Sequence, residues 1–298
     1  MTELNGAETR VSSWRLLALN PVTLLSALVL LTVAVVAVCA NWIAPYGVND
    51  VDVPNALQAP GATHWFGTDE LGRDVLARVL LAIQASMRIA VISVAFAVVV
   101  GVTVGVVAGY FAGHKGGWLD TVLMRVIDVM FAFPVLLLAL AIVAVLGPGV
   151  STTILAIGIV YTPIFARVAR ASTLSVRTET YVAASRAGGT GDLYILRRHI
   201  LPNISGPLIV QTSLSLAFAI LSEAALSFLG LGIQPPEPSL GRMIFDSQGF
   251  VTMAWWMAVF PGAAIFVIVL GFNLFGDGLR DVLDPKQRSA IEARRREP

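Results

Sequence analysis

Residues able to carry chemistry are sparse in this chain. His64, His114 and His199 stand far apart with no metal-ligand spacing, and Cys39, the only cysteine, lies inside an apolar run. Those positions allow neither an intrachain disulfide nor a Cys- or His-based metal site, so no metal ligands and no catalytic residues are expected. The run Gly188-Gly189-Thr190-Gly191 lacks the lysine and the preceding strand of a phosphate-binding loop, so the chain is not expected to hydrolyse ATP by itself. What remains is a set of charges and polar groups in apolar surroundings, where each is costly and asks for a partner or a role. Glu223, in Leu221-Ser222-Glu223-Ala224-Ala225, reads either as a contact for an amino group or cation in a translocation path or as a carboxylate hydrogen-bonded to a neighbouring helix. Gln211 and Ser215 share one face of the same segment and read either as path-lining or as helix packing. Asp128, three residues after Arg125, reads as half of an intrahelical pair. Asp69, Glu70, Arg73 and Asp74 form a charged cluster that reads as a docking surface for another protein or as part of a lid or scaffold.

The elements that hold these groups are built for a bilayer. Of 298 residues 56% are hydrophobic and 13% charged, against about 25% charged in a soluble domain. Six apolar blocks, at about 22–43, 87–112, 120–146, 152–171, 208–230 and 254–275, approach or exceed the roughly 20 residues that cross a membrane. The first is too long for a signal-peptide core and is expected to be retained. An all-α membrane protein is therefore expected. With the N-terminus inside, Arg73, Arg78, Arg88 and Arg242 are the only Lys or Arg residues of the 20 left outside, which predicts that both termini are cytoplasmic. No basic stripe interleaved with aromatics points to nucleic acid. Gly101, Gly105 and Gly109 recur every four residues and predict a smooth ridge for close helix approach, within the subunit or at an interface. The organisation expected is an N-terminal tail at 1–20, a first helix and outer segment at 21–83, a membrane core at 84–277 and a C-terminal tail at 278–298.

Two long connections break the hairpin rhythm, an outer one at 44–86 and an inner one at 172–207, too polar to span a membrane. In the inner one, Tyr181 to Ala187 suits a short helix that Gly188, Gly189 and Gly191 end. Asp192 is the expected N-cap of a second piece, Leu193, Leu196 and Ile200 its expected apolar face, and Pro202 its close. A short, small-sided helix exposed below a membrane bundle suits insertion into a groove on a cytosolic partner.

This stretch resembles the Glu-Ala-Ala…Gly…Ile-x-Leu-Pro signature of bacterial ABC importer permeases. Ala183, Ala184 and Ser185 stand at the Glu-Ala-Ala positions, Gly189 at the glycine, His199 at the isoleucine, and Leu201-Pro202 at the final pair. Ala183 for the acid, Ser185 for an alanine and His199 for isoleucine are departures from the pattern. Trp65-Phe66-Gly67-Thr68-Asp69-Glu70-Leu71-Gly72-Arg73-Asp74-Val75-Leu76, Leu226-Ser227-Phe228-Leu229-Gly230-Leu231-Gly232 and Asn273 to Pro285 are similar to dipeptide, oligopeptide and nickel-type permeases, most of all to the second permease of the peptide systems. The resemblance implies a type I importer permease fold with a cytoplasmic coupling helix and a plasma-membrane location. It implies a second, homologous permease, one or two ABC ATPase subunits that hold ATP and Mg2+, and an external substrate-binding protein. No cofactor is expected in this chain. Peptides are the implied cargo, with nickel or another small solute as the alternative. A secondary transporter would explain the spans but not the inner segment.

Overall fold

The computed structural model describes residues 21–113 and 117–283. Five helices are long and apolar enough to cross a membrane: α1 (Pro21–Ile43), α2 (Val75–Phe111), α5 (Val150–Val176), α7 (Asp192–Phe228) and α9 (Trp256–Leu283). A sixth span exists if α3 (Gly117–Phe131) and α4 (Val135–Leu146), bent by 91° at a short break, count as one. Two short helices, α6 (Thr180–Ala187) and α8 (Leu240–Asp246), lie between the spans.

The bundle is organised around α2 and α5, which make its most extensive helix contact. A Cβ on Gly101, Gly105 or Gly109 would collide with the carbonyl oxygen of Thr162, Ala166 or Arg170 respectively. Omitting three side chains lets the backbones close up and gain dispersion contacts along the whole seam. The glycine ridge is thus used within the chain. Ile89, Val94, Ile157, Phe165, Ile220 and Leu226 fill the main core between α2, α5 and α7.

Four expectations are corrected. The second span begins at Val75, where the Asp74 carboxylate accepts the Ala77 amide at 2.7 Å and caps the helix, so the outer segment ends at 74. The third span is broken at Ala132-Phe133-Pro134, because proline brings no N–H and disfavours helical backbone before it. Pro202 closes nothing: it lies inside α7. A π-helical turn at Leu196–Ile200, with the Leu201 amide bonded to the Leu196 carbonyl, carries the helix past it. Asp192 is the first residue of α7, not its cap, which is Gly191 without a side-chain bond. Of the expected organisation, the 83/84 and 277/278 boundaries fall within α2 and α9. Residues 1–20 and the tail beyond 283 lie outside the described residues, as do His114 and the last residues of the C-terminal motif.

Candidate functional site

The inner polar unit is built from α6, a glycine turn and the first turns of α7. In α6 only Val182 is buried, while Ala183 and Ala184 are exposed and Ser185 is half-buried. The helix ends in a Schellman turn: the Gly189 amide bonds to Arg186 O and the Thr190 amide to Ser185 O. That turn needs a left-handed residue, and Gly189 supplies it at φ +78°; a Cβ there would meet nothing within 4 Å. The site of the glycine is therefore open on this chain and free for a partner's surface. His199 packs its ring against those of Tyr181 and Tyr194, and Leu201 and Pro202 are exposed on the same stretch.

What fixes this unit to the membrane bundle was only partly visible in the sequence. Val182, Ile195, Ile200 and Ile204 bury themselves against Val106 and Tyr110 of α2 and Ala169 of α5. Each such side chain, fully buried, contributes about 1.5–3 kcal/mol. Of the expected face, Ile200 is buried and Leu196 packs half-buried against the cluster, while Leu193 is exposed and Ile195 and Ile204 complete the buried set. The π-turn adds one residue to the repeat, so the buried positions run i, i+5, i+9. The Tyr110 hydroxyl donates to the Asp192 carboxylate at 2.6 Å, and the Arg186 guanidinium lies over the Tyr110 ring. Arg177, just past α5, donates from Nη1 to the carbonyls of Gly109, Tyr110 and Ala112 and so satisfies the exposed C-terminal end of α2. A lone Arg at the end of a span gave no sequence signal for that partner.

The membrane-depth candidates separate. Gln211 donates to Ser215 Oγ at 3.1 Å, with Ser215 buried and Gln211 half-buried. Glu223 is fully enclosed, accepting from Ser86 of α2 at 2.5 Å and from Ser227 and Ser239 at 2.7 and 3.2 Å. It ties α2, α7 and the loop before α8 together, which matches the helix-linking reading. Asp128 does not pair with Arg125; it meets Arg167 of α5 at 2.7 Å. One helical turn away on α5, Arg170 holds Asp120 through two bonds, at 2.6 and 2.8 Å.

The outer charges converge, but inward. Asp69, 5% exposed, accepts from the Leu71 and Arg73 amides and from Arg73 Nε, with Arg78 at 3.6 Å. Asp74, 3% exposed, is shared between the α2 cap and His64 Nδ1 at 2.8 Å. Arg73 also reaches Glu70 at 3.1 Å. Burial pushes the Glu70 carboxyl above its ordinary pKa, and its Oε2 has no hydrogen-bond partner among the described residues. The turn is pinned to α9 by Trp256, which donates to Thr68 O, and by stacking of Phe66 on Phe260. Trp65 and Leu71, not the two aspartates, present side chains outward here.

Comparison with known proteins places this geometry. Residues 101–289 match the model of the binding-protein-dependent transport system inner membrane component, and residues 11–60 match the N-terminal TM domain of oligopeptide transport permease C. A dipeptide transport system permease protein of Alkalihalophilus pseudofirmus is 42% identical over 285 residues, covering 94% of this chain and 92% of the relative. A glutathione transport system permease protein of Shigella flexneri serotype 5b is 47% identical over 274 residues, covering 92% and 89%. Among solved structures, an inward-facing MetNI methionine ABC transporter superposes with TM-score 0.58 at 18% identity, over 70% of this chain and 96% of that one, a likeness of fold.

Proposed function

The chain belongs to the binding-protein-dependent transport system inner membrane components, and from that membership we propose that it forms half of the translocation path of an ATP-driven importer of di- or oligopeptides. It is a multi-pass inner-membrane permease subunit; the ATPase is a separate subunit, and substrate reaches the permease from a substrate-binding protein. The observation that carries the reading is the inner unit. Its short helix is small-sided and exposed, closed by a glycine turn, and mounted on α2 and α5 by a buried cluster, an Arg cap and a Tyr–Asp bond. A rigid mount transmits a push, which a flexible connector would absorb.

In this proposal Ala183, Ala184, Ser185, Gly189, His199, Leu201 and Pro202 seat on an ATPase subunit that holds ATP and Mg2+. Closure of the ATPases moves α6, and with it the cytoplasmic ends of α2 and α5. Both termini lie in the cytoplasm, a second homologous permease completes the path, and the outer segment receives the binding protein through its exposed surface rather than through Asp69 and Asp74. The peptide assignment is supported by the relatives, of which one transports dipeptides and another glutathione, itself a peptide. Nickel remains the competing cargo. The test is to tag the chain, purify it in mild detergent, and identify what accompanies it. ABC ATPases and a second permease in stoichiometric amounts are expected. Reconstituted with its binding protein, the complex should show ATP-dependent uptake that peptides compete and Ni2+ does not. Recovery of the chain alone after crosslinking would sink the subunit reading, and competition by Ni2+ alone would sink the cargo.

A further inference from the structure

Of the acids that the sequence singled out in apolar runs, Asp128 faces outward, and its partner Arg167 is one that the sequence did not mark. In α3 only Ile127 is buried. From Phe131 to Leu137, across the 91° break between α3 and α4, every residue is exposed. The first three amides of α4 have no acceptor within the helix, and its N-cap, Pro134, supplies no side-chain bond. Broken backbone of this kind does not face lipid; it is tolerated where it is covered by protein or lines a water-filled cavity.

The Asp128–Arg167 pair shares this face. Both side chains are about half exposed, at 54% and 51%, although they meet at 2.7 Å. Arg167 also lies 4.0 Å over the Phe131 ring, at the edge of the break. Arg167 stands about 14 Å from the C-terminal end of the 27-residue helix α5, inside the apolar block expected at 152–171. An open ion pair at that depth against lipid would be strongly unfavourable. Its neighbour Asp120–Arg170 is more enclosed and doubly bonded, as a pair serving helix packing should be. Asp128–Arg167 keeps a carboxylate and a guanidinium side by side with their outer faces free.

We infer that this face of α3, the break and α5 lines the translocation path, and that Asp128 and Arg167 take the amino and carboxyl ends of a peptide in transit. The inference deepens the peptide-importer reading and rests on it. A carboxylate complements a terminal ammonium, and the planar guanidinium fork matches a terminal carboxylate in a bidentate bond. Exposed Phe131, Phe133 and Leu137 offer apolar contact to the side chains between the ends. In the empty path the two residues neutralise one another, and a zwitterion replaces that pair with two pairs of the same sign pattern. Glu223, which is enclosed and bonded to three serines, is not needed for this.

The assembled transporter, reconstituted with its binding protein, tests this in two ways. Val129→Cys and Phe133→Cys chains, each with Cys39→Ala, should react with a hydrophilic, membrane-impermeant thiol reagent. Saturating transported dipeptide, trapped with ATP and binding protein, should slow that reaction about tenfold. Reaction only with a membrane-soluble maleimide would place the face in lipid, and reaction with neither would place it in a subunit contact; both overturn the inference. The Asp128→Asn, Arg167→Gln double variant should lower uptake about tenfold at saturating loaded binding protein while partner subunits still co-purify. Undiminished uptake, or full recovery by the exchanged pair Asp128→Arg with Arg167→Asp, would make the pair structural and overturn the inference. The unmodified complex separates this failure from that of the function itself: if it takes up no peptide, the importer reading falls, not the path assignment.

Discussion

At the scale of single residues, Gly189 shows how one position serves two demands. Its φ of +78° requires a residue tolerant of the left-handed region, and the space where a Cβ would stand is empty on this chain. Valine there costs about 1–2 kcal/mol of local backbone strain, whereas asparagine adopts the conformation readily. If the empty space is where the ATPase seats, both variants should lose peptide uptake while ATP hydrolysis persists. Gly189→Asn should do so with unchanged thermal stability of the complex. Normal uptake by Gly189→Asn would show that the turn, not the bare surface, is what matters. The sequence marked this glycine through its turn chemistry. It could not mark Arg177 or Tyr110, whose roles depend on carbonyls and a carboxylate that are distant in the chain.

At the scale of elements, the outer segment is a knot of charges that stiffens the entry to α2. Asp69 holds the turn and Asp74 holds the helix start. Glu70, with its carboxyl raised by burial, works against the knot when ionised. The sign follows from linkage: the folded state binds its proton more tightly than the unfolded chain. The contribution of Glu70 to stability is therefore greatest below the ordinary glutamic pKa of about 4.3 and falls as pH rises to the higher folded value. Glu70→Gln should remove this slope, so that its melting temperature gains on the wild-type protein as pH rises from about 4 to neutrality. A constant difference across that range would show that Glu70 is not strained by ionisation. The same scale explains the misread spans. The apolar run at 120–146 predicted one span, yet Pro134 breaks it, whereas Pro202, expected to close the inner unit, lies inside α7 because a π-turn carries the helix past it. A proline's effect depends on what the surrounding backbone does with the missing hydrogen bond.

At the scale of the whole molecule, the bundle is tightly packed along one seam and open elsewhere. The α2–α5 seam is sealed by glycines, but α1 and α3 bury little of themselves. On the proposed function, the part of that surface outside the path is completed by lipid and by the second permease, which would stabilise the chain by mass action. Purified alone, the chain should melt about 5 °C or more below the assembled complex in the same detergent. Equal melting temperatures would mean that the partner covers little of this surface. The sequence by itself determined the bilayer as solvent, the helix–glycine turn of the inner unit and the family, because hydropathy and turn chemistry are local properties written at fixed spacing. Tertiary structure alone decided which charges are enclosed and which stay open. Glu223 and Asp128 are both acids in apolar runs, and the sequence offers Asp128 the nearer partner, Arg125. Ser86, Ser227 and Ser239 close around the first, and among the described residues Arg167 alone pairs with the second. That difference lies in what the neighbouring helices bring, and the spacing of a single helix does not encode it.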